Sequence, residues 1–211
     1  MEYKYIVIEG NIGAGKTTLA KWLAEEYQAN LLLEKFSDNP FLPRFYNDPE
    51  KYAFHVELSF MATRYQQLIN ELPYKNLFKT FTLADFYFAK SILFAKITLS
   101  DPEFVLYRQI YNIIYKSIPK PDLYIYLHVD VDQLMKNIQQ RGRDFEGNIN
   151  PDYLKKLERE YFNYIRQQND MRIVVLDMNN IDFVRELSDY EKVKEAIFKK
   201  DHPVGISRHI F

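Results

Sequence analysis

A chain of 211 residues with 47% hydrophobic and 27% charged residues is long enough for one domain with a sizeable core. Its net charge of -1 argues against a general nucleic-acid or membrane-surface binder, and the absence of cysteine excludes disulfides, thiolate metal sites and a thiol nucleophile. No apolar run approaches membrane-span length, and no signal-peptide pattern opens the chain. We therefore expect a cytoplasmic protein with a single domain over residues 1–211.

A phosphate-binding loop is the most specific pattern in the chain. Residues 8–18 read IEGNIGAGKTT and satisfy G-x-x-x-x-G-K-[ST]. A β-branched and aromatic run over residues 3–8 predicts a strand before the loop, and apolar residues at helical spacing over residues 17–27 predict a helix after it. The loop therefore lies at the strand-to-helix turn that the motif requires. The predicted phosphate-binding residues are Gly10, Asn11, Ile12, Gly13, Ala14, Gly15, Lys16, Thr17 and Thr18.

The residue types of this loop indicate its chemistry. Where glycines remove side chains, successive backbone N–H groups point at one anion, and the helix start adds its partial positive charge. Lys16, which we expect to face solvent when no nucleotide is bound, brings a full charge to the β- and γ-phosphates. The Thr17 hydroxyl is suited to ligate Mg²⁺. The loop thus predicts a site for the phosphates of a nucleoside triphosphate and for Mg²⁺.

Strands and helices alternate along the rest of the chain. We predict further strands over residues 30–34, 79–84, 123–129 and 172–176, each a short apolar run. A long helix runs from Pro49 to about residue 71, with Asp48 as its N-cap. Other helices follow residue 85, start at Asp101, and cover residues 130–140, 151–169 and 189–200. Residues 202–211 show no clear periodicity and are assigned no element.

This alternation predicts an α/β fold, a doubly wound, five-stranded parallel sheet with the P-loop after its first strand and helices on both faces. In such sheets ligands bind at the carboxyl ends of the strands. The phosphate loop, Glu34 and Asp85 each follow directly on a predicted strand, so we expect them at one edge of the sheet. Asp85 suits a carboxylate that helps Thr17 hold Mg²⁺, although Asp is also a good N-cap for the helix that follows.

Glu34 and two arginines are candidate catalytic groups beside Lys16. A carboxylate near the γ-phosphate is normally repelled, so its presence indicates a functional role. Glu34 is suited to accept the proton of a hydroxyl nucleophile. The alternative is a solvated strand end. Arg141 and Arg143 follow a predicted helix, where two guanidinium groups suit a mobile lid that stabilises transition-state charge. The alternative is a basic helix C-terminus that complements the helix dipole.

Glu57 and Arg64 interrupt the apolar half of the long helix, and the chain has 17 Tyr and 16 Phe. The two charged residues are seven positions apart, roughly 10 Å by helical rise. Because a buried carboxylate is costly unless it is paired, one interpretation is that Arg64 or a neighbouring helix neutralises Glu57. The aromatic residues predict a core packed with rings, or a planar ligand stacked among some of them.

These residues together resemble the deoxynucleoside kinases, particularly the bacterial purine-type members. The resemblance rests on GNIGAGKTT in the first strand–helix turn, on Glu34 after the second strand, and on R-G-R at residues 141–143 followed by an acidic residue. It covers about residues 3–165. It implies a P-loop kinase fold with an arginine-bearing lid, in a homodimeric enzyme that uses ATP and Mg²⁺ to phosphorylate the 5′-hydroxyl of a deoxynucleoside.

The resemblance also assigns roles to single residues. Glu34 corresponds to the family's general base, and Arg141 and Arg143 correspond to its lid arginines. Tyr46 and Glu146 correspond to the residues that contact the sugar 3′-hydroxyl. The remaining residues that the resemblance places against the substrate are Glu57 and Arg64, at the nucleobase, and Asp85, after the third strand.

Two positions depart from the family pattern. The family has an Arg after the acidic residue of the third strand, whereas Phe86 follows Asp85 here, and Lys90 is the next cation along the chain. Glu57 stands where the family has a base-reading Gln. An ionised Glu only accepts hydrogen bonds, which suits the N1–H and amino group of guanine, with Arg64 donating to O6 or N7. We therefore expect purines, with deoxyguanosine ahead of deoxyadenosine.

Two other functions stay open on the sequence alone. A nucleoside monophosphate kinase of the thymidylate kinase type shares this architecture, but its phosphate-bearing acceptor needs further basic groups near Glu34. A non-catalytic, kinase-like binding subunit is conceivable because the Arg after Asp85 is lost. The expected partners are ATP and a deoxynucleoside, with no nucleic acid and no membrane.

Overall fold

A six-stranded parallel sheet forms the centre of the protein. The computed structural model describes residues 3–36, 39–72, 81–143, 146–147, 149–198 and 201–211. Its strands are β1 (Tyr5–Gly10), β2 (Asn30–Leu32), β3 (Thr82–Ala84), β4 (Leu123–His128), β5 (Arg172–Asp177) and β6 (Gly205–Ile210). They lie in the order β2-β3-β1-β4-β5-β6, and every pairing is parallel.

The helices agree closely with the sequence prediction. They are α1 (Lys16–Glu26), α2 (Leu42–Asn47), α3 (Pro49–Glu71), α4 (Lys90–Thr98), α5 (Asp101–Tyr115), α6 (Val131–Arg141), α7 (Pro151–Arg166) and α8 (Leu187–Phe198). The predicted start of α3 is confirmed, because the Asp48 side chain accepts a hydrogen bond from the Lys51 backbone N–H. In the described residues no helix has the length and apolar character needed to cross a bilayer.

The predicted strand number of five is wrong, because residues 205–210 add β6 beside β5. The prediction failed there because β6 lies at the sheet edge and its residues alternate between half-buried and exposed. Ile206 and Ile210 are among the exposed ones, so the strand has no buried apolar run to mark it. Part of the predicted third strand, residues 79–80, and the end of the last predicted helix, residues 199–200, lie outside the described residues.

Helices cover both faces of the sheet, as predicted for a doubly wound fold. Alternate residues of β1 point to opposite faces, so Ile6 and Ile8 join the core under α1, α6 and α8. Tyr5 and Val7 join the core under α3, α4, α5 and α7. The central strands β1 and β4 are thus buried from both sides, which explains their continuous apolar runs.

The topology fixes where a ligand can bind. β1 lies between β3 and β4, and the chain uses one side of β1 for β2 and β3 and the other side for β4, β5 and β6. This reversal is the topological switch point, outside which ligands bind in sheets of this kind. The phosphate loop leaves β1 at that point.

Candidate active site

Two glycines give the phosphate loop its shape. At Gly10 a Cβ atom would lie 2.7 Å from the Leu127 carbonyl oxygen of the neighbouring strand, so no side chain fits. Gly15 has φ 85°, the left-handed conformation that glycine adopts without strain, and α1 begins at the next residue. The loop therefore ends with the backbone N–H groups at the start of α1 directed away from the helix, which is the arrangement that binds phosphate.

Lys16 does not face solvent as we expected from the sequence. Its Nζ donates to the carbonyl oxygens of Gly10 and Asn11 at 2.9 and 2.8 Å, and its side chain is half-buried. Burial, together with the nearby charge of Lys90, lowers the pKa of Lys16 to about 8. The solvent prediction failed because the loop curls around the ammonium group and offers it carbonyl acceptors.

Asp85 connects the phosphate loop to the strand end that carries Glu34. Its Oδ2 accepts a hydrogen bond from the Thr17 hydroxyl at 2.5 Å, and its Oδ1 accepts one from the Glu34 backbone N–H at 2.7 Å. From α3, Gln67 donates its side-chain amide to the Leu33 carbonyl at 2.9 Å. These contacts bring the phosphate loop, Glu34 and Asp85 to one edge of the sheet, as predicted from the strand ends.

Glu34 is held by two cations from two different helices. Two nitrogens of Arg64 in α3, Nε and a terminal nitrogen, lie 2.8 and 2.7 Å from Glu34 Oε1. The Nζ atom of Lys90 in α4 lies 2.5 Å from Glu34 Oε2. Burial alone raises the pKa of Glu34, but the charges of Lys90 and Arg64 outweigh it and hold the pKa at about 2. Glu34 is therefore ionised and accepts hydrogen bonds, so a solvated strand end is not what the structure contains.

Lys90 places a buried cation against Glu34, although Phe86 follows Asp85. It is the first residue of α4, which starts six positions after Ala84, the last residue of β3. Its side chain is buried, and its ammonium lies 5.4 Å from the Phe94 ring centroid. Sequence reasoning named Lys90 only as the nearest cation along the chain. That reasoning did not place Lys90 against Glu34, because the two residues lie 56 positions apart.

Glu57 and Arg64 do not form an ion pair with each other in the described residues. Arg64 is occupied by Glu34 and by the Ser91 hydroxyl, which accepts from its other terminal nitrogen at 2.9 Å. Glu57 is 3% exposed, and its Oε1 accepts a hydrogen bond from the Thr98 hydroxyl at 3.1 Å. No donor among the described residues reaches its Oε2. Burial, against the opposing charge of Arg64, raises the pKa of Glu57 to about 7.

Glu146 binds both Arg141, the last residue of α6, and Arg143, two positions later. Its Oε2 accepts from Arg141 Nε at 3.0 Å, and its Oε1 accepts from an Arg143 terminal nitrogen at 3.2 Å. The Arg143 guanidinium lies 3.9 Å from the Phe36 ring centroid, on the cavity wall that Glu34 belongs to. The two arginines thus do more than complement the dipole of α6. The acidic residue after Arg143, Asp144, lies outside the described residues.

One cavity joins these groups, and its described lining combines charged, polar and aromatic side chains. Sequence reasoning had picked out its polar lining residues, which are Lys16, Thr17, Glu34, Tyr46, Glu57, Arg64, Asp85, Arg141, Arg143 and Glu146. It had missed the apolar walls, which include Phe36, Phe45, Phe60, Phe94 and Tyr153. No local pattern separates these rings from the many that fill the core. Stacking of a planar ligand among them stays a prediction.

Glu9 of β1, directly before Gly10, is a further buried carboxyl group. The sequence analysis did not identify it. Its Oε1 accepts from the Tyr87 backbone N–H at 2.8 Å, and its Oε2 accepts from the Tyr161 hydroxyl at 2.9 Å. Burial raises its pKa. Because Tyr87 lies in the turn between Asp85 and Lys90, Glu9 fixes the segment that carries both residues. A charged residue in an otherwise apolar strand was the available signal.

Comparison with known proteins finds deoxynucleoside kinases. A family model described as deoxynucleoside kinase matches residues 6–201. The chain is 34% identical to a deoxyguanosine kinase of Bacillus subtilis over 193 residues, which cover 90% of this chain and 93% of that protein. It is 30% identical to a deoxyadenosine kinase of Lactobacillus acidophilus over 214 residues, which cover 95% and 97% of the two chains.

A solved structure shows the same fold. Deoxyadenosine kinase from M. mycoides, with bound dATP, matches with a TM-score of 0.78 at 23% identity, over 90% of this chain and 97% of that chain. The α/β architecture with a parallel sheet is therefore shared. Since the family model spans nearly the whole chain, the protein belongs to the deoxynucleoside kinase family.

Proposed function

We propose that this protein, as one catalytic domain, transfers the γ-phosphate of ATP to the 5′-hydroxyl of a deoxynucleoside and prefers purines, with deoxyguanosine ahead of deoxyadenosine. The observation that carries the proposal is Asp85, whose two carboxylate oxygens bind Thr17 of the phosphate loop and the backbone of Glu34. A single residue thereby sets the distance between the phosphate donor site and the carboxylate that faces the acceptor.

The donor end contains the groups that phosphoryl transfer requires. Residues 10–18 supply backbone N–H groups, and Lys16 moves from the loop carbonyls to the phosphates when ATP binds. Arg141 and Arg143 add charge on the other side of the cavity, as parts of a lid that closes over the phosphates. The Thr17 hydroxyl and the Asp85 carboxylate, in contact with each other, fit the oxygen ligands that Mg²⁺ prefers. When bound, the ion neutralises charge on the phosphate oxygens.

At the acceptor end, Glu34 receives the proton of the 5′-hydroxyl. Its pKa of about 2 makes it a weak base. In a loose phosphoryl-transfer transition state the hydroxyl becomes acidic as its oxygen bonds to phosphorus, so a weak base is sufficient. Lys90 and Arg64 keep Glu34 ionised and oriented before the proton is transferred. The proton moves from the hydroxyl oxygen to a Glu34 carboxylate oxygen as the bond between that hydroxyl oxygen and the γ-phosphorus forms. The bond from the γ-phosphorus to the bridging oxygen of ATP breaks, and ADP leaves.

The other end of the cavity holds the nucleoside. Tyr46 and Glu146 both line it, and we assign them to the sugar 3′-hydroxyl. Glu57 lines the same cavity with one oxygen that has no partner in the described residues, and we assign it to the base edge, with Arg64 beside it. The similar proteins named deoxyguanosine kinase and deoxyadenosine kinase support the purine preference.

We also propose a homodimer in the cytoplasm, where ATP is available. The support for the dimer is α5, which presents the apolar side chains of Val105, Leu106 and Ile113 to solvent. Neighbouring apolar residues exposed on one helix mark a protein–protein contact in many soluble proteins. Sedimentation at micromolar concentration tests this, and Ile113→Asp should shift the protein to a monomer.

ADP release tests the proposed function. Each of the four deoxynucleosides and their 5′-monophosphates is supplied separately with ATP and Mg²⁺, and initial rates are compared. We expect release with deoxyguanosine and deoxyadenosine and none above background with the monophosphates. Release with monophosphates alone would indicate a nucleoside monophosphate kinase. If none of the supplied acceptors gives ADP release above background, the protein is a non-catalytic subunit.

A further inference from the structure

The unpartnered oxygen of Glu57 is the least explained polar atom of the cavity. Oε1 has the Thr98 hydroxyl, and the backbone carbonyl of Glu57 accepts from the Tyr107 hydroxyl at 3.2 Å. Oε2 has no donor among the described residues, although the side chain is almost fully buried. A buried polar atom without a partner is costly unless a ligand satisfies it. Since Glu57 lines the cavity that also contains Glu34, that ligand is the acceptor nucleoside.

The two protonation states of Glu57 suit different bases. A carboxylate offers acceptors only and matches the adjacent N1–H and amino donors of guanine. A carboxylic acid offers one donor and one acceptor, and matches the N1 acceptor and amino donor of adenine. Adenine N1 carries a lone pair, which a carboxylate oxygen repels. The carboxylate therefore excludes adenine without excluding guanine.

We propose that the proton on Glu57 selects the purine, so that the carboxylic acid binds deoxyadenosine and the carboxylate binds deoxyguanosine. The inference rests on the proposed function, because it assigns the base subsite of that reaction. One site with one carboxyl group would then serve both purine deoxynucleosides, with the choice set by pH.

The surroundings of Glu57 keep both protonation states accessible near neutral pH. Burial favours the neutral acid, while Arg64 and the Thr98 hydroxyl favour the carboxylate, and together they raise the pKa to about 7. The titratable and charged groups that interact with Glu57 are Arg64 of the same helix, Glu34, Lys90, Tyr46, Tyr107 and Tyr153. The three tyrosines have raised pKa values, and that of Glu34 is lowered to about 2, so neither the tyrosines nor Glu34 changes charge near pH 7.

The ratio of kcat/KM for deoxyguanosine to that for deoxyadenosine measures the switch. Lys16, with a pKa of about 8, affects phosphate transfer to both nucleosides alike, so the ratio removes its contribution. Above the midpoint of Glu57 the protonated fraction falls about tenfold per pH unit, and the ratio should rise by up to the same factor. Deoxycytidine presents the same acceptor–donor edge as adenine, and its turnover should follow that of deoxyadenosine.

Two variants show whether Glu57 is responsible. Glu57→Gln fixes one donor and one acceptor, so it should favour deoxyadenosine and make the ratio independent of pH. Glu146→Gln is the matched control, because it neutralises another buried carboxylate of the same cavity at the sugar end. The control should keep the pH dependence of the ratio. Loss of that dependence in Glu146→Gln, or its survival in Glu57→Gln, would overturn the assignment to Glu57.

Calorimetry of nucleoside binding is the deciding experiment. At about pH 8, in buffers with different ionisation enthalpies, deoxyadenosine should take up close to one proton on binding, and deoxyguanosine should take up none. In Glu57→Gln neither nucleoside should take up a proton. Equal proton uptake for both nucleosides, with phosphate transfer intact and a ratio constant from about pH 6 to pH 8, would overturn the switch and leave the proposed function standing. Absence of binding and of transfer at every pH would overturn both.

Discussion

Replacing Glu34 with glutamine tests the centre of the site, because it removes the charge that Arg64 and Lys90 share. The side chains of Arg64 and Lys90 are only 3% and 9% exposed, so water does not compensate them. The pKa of Glu34 is about 2 in place of its ordinary 4.5. Each pKa unit corresponds to about 1.4 kcal/mol, so Glu34→Gln should lower the free energy of unfolding at pH 7 by about 3 kcal/mol.

The sign of this effect defines its pH window. A carboxyl group with a lowered folded-state pKa stabilises the folded protein above its unfolded pKa, and this contribution is lost as pH falls through the folded value. The difference in unfolding free energy between wild type and Glu34→Gln should therefore be complete at pH 7. It should shrink between pH 4.5 and about pH 2, the ordinary and folded pKa values of Glu34.

A second substitution separates folding from catalysis. Glu34→Gln with Lys90→Met removes one of the two uncompensated cations, and the methionine packs in the space beside Phe94, so most of the lost stability should return. Phosphate transfer should stay roughly 10²–10⁴-fold slower than in wild type, because the proton acceptor is still missing. Lys90→Met alone is the matched control, since Glu34 keeps Arg64 as its partner and remains ionised.

Urea unfolding at several pH values and single-turnover transfer from ATP measure the two effects. Saturating nucleoside is used in the transfer assay, so that binding defects do not enter the rate. A Glu34→Gln variant as stable as wild type would contradict the role of the ion pairs. A variant with normal transfer of bound nucleoside would show that the proton goes elsewhere.

Three further predictions follow from the same geometry. Lys16→Ala should remain folded and lose about 1 kcal/mol of unfolding free energy in urea, because two hydrogen bonds to loop carbonyls are lost. Phosphate transfer should fall on the order of 10²-fold or more. Near-normal turnover would place the phosphate site elsewhere. Tyr46→Phe and Glu146→Gln should each narrow the kcat/KM gap between deoxynucleosides and 3′-deoxy analogues, and an unchanged gap in both would remove these residues from the sugar site. Glu57 has a pKa raised from 4.5 to about 7, so the folded state holds its proton more tightly and wild-type stability falls as pH rises through that window. Glu57→Gln should abolish this fall, and its free energy of unfolding in urea at about pH 8 should exceed that of the wild type by up to about 3 kcal/mol. If the free energy of unfolding depends on pH in the same way in both proteins, the raised pKa is contradicted.

Local sequence patterns predicted the strand ends and the phosphate loop. The loop motif, the apolar run of β4 and the Asp48–Pro49 start of α3 are each confined to a few neighbouring residues, and the structure contains them where expected. Strand β6 was not predicted, because it lies at a sheet edge and its isoleucines are exposed. Its sequence therefore has no periodic pattern of buried apolar residues.

Contacts between distant elements could not be predicted in the same way. Helical spacing suggested Glu57 as the partner of Arg64, but the structure pairs Arg64 with Glu34, thirty positions earlier. Lys90 and Glu34 are 56 positions apart and meet only because β2 and β3 are neighbours in the sheet. The aromatic cavity walls likewise depend on how α2, α3 and α4 pack around the site. Residue roles in catalysis and binding remain predictions.

The most direct measurement of the central claim follows a labelled phosphate. The protein is incubated with ATP labelled in its γ-phosphate, Mg²⁺ and deoxyguanosine, and the products are separated and identified by mass spectrometry. The proposed function predicts labelled 2′-deoxyguanosine 5′-monophosphate in amounts equal to the ADP formed, and no labelled nucleotide when 2′,5′-dideoxyguanosine replaces the nucleoside. Label that appears only in inorganic phosphate, or that enters a diphosphate only when a monophosphate is supplied, would contradict it.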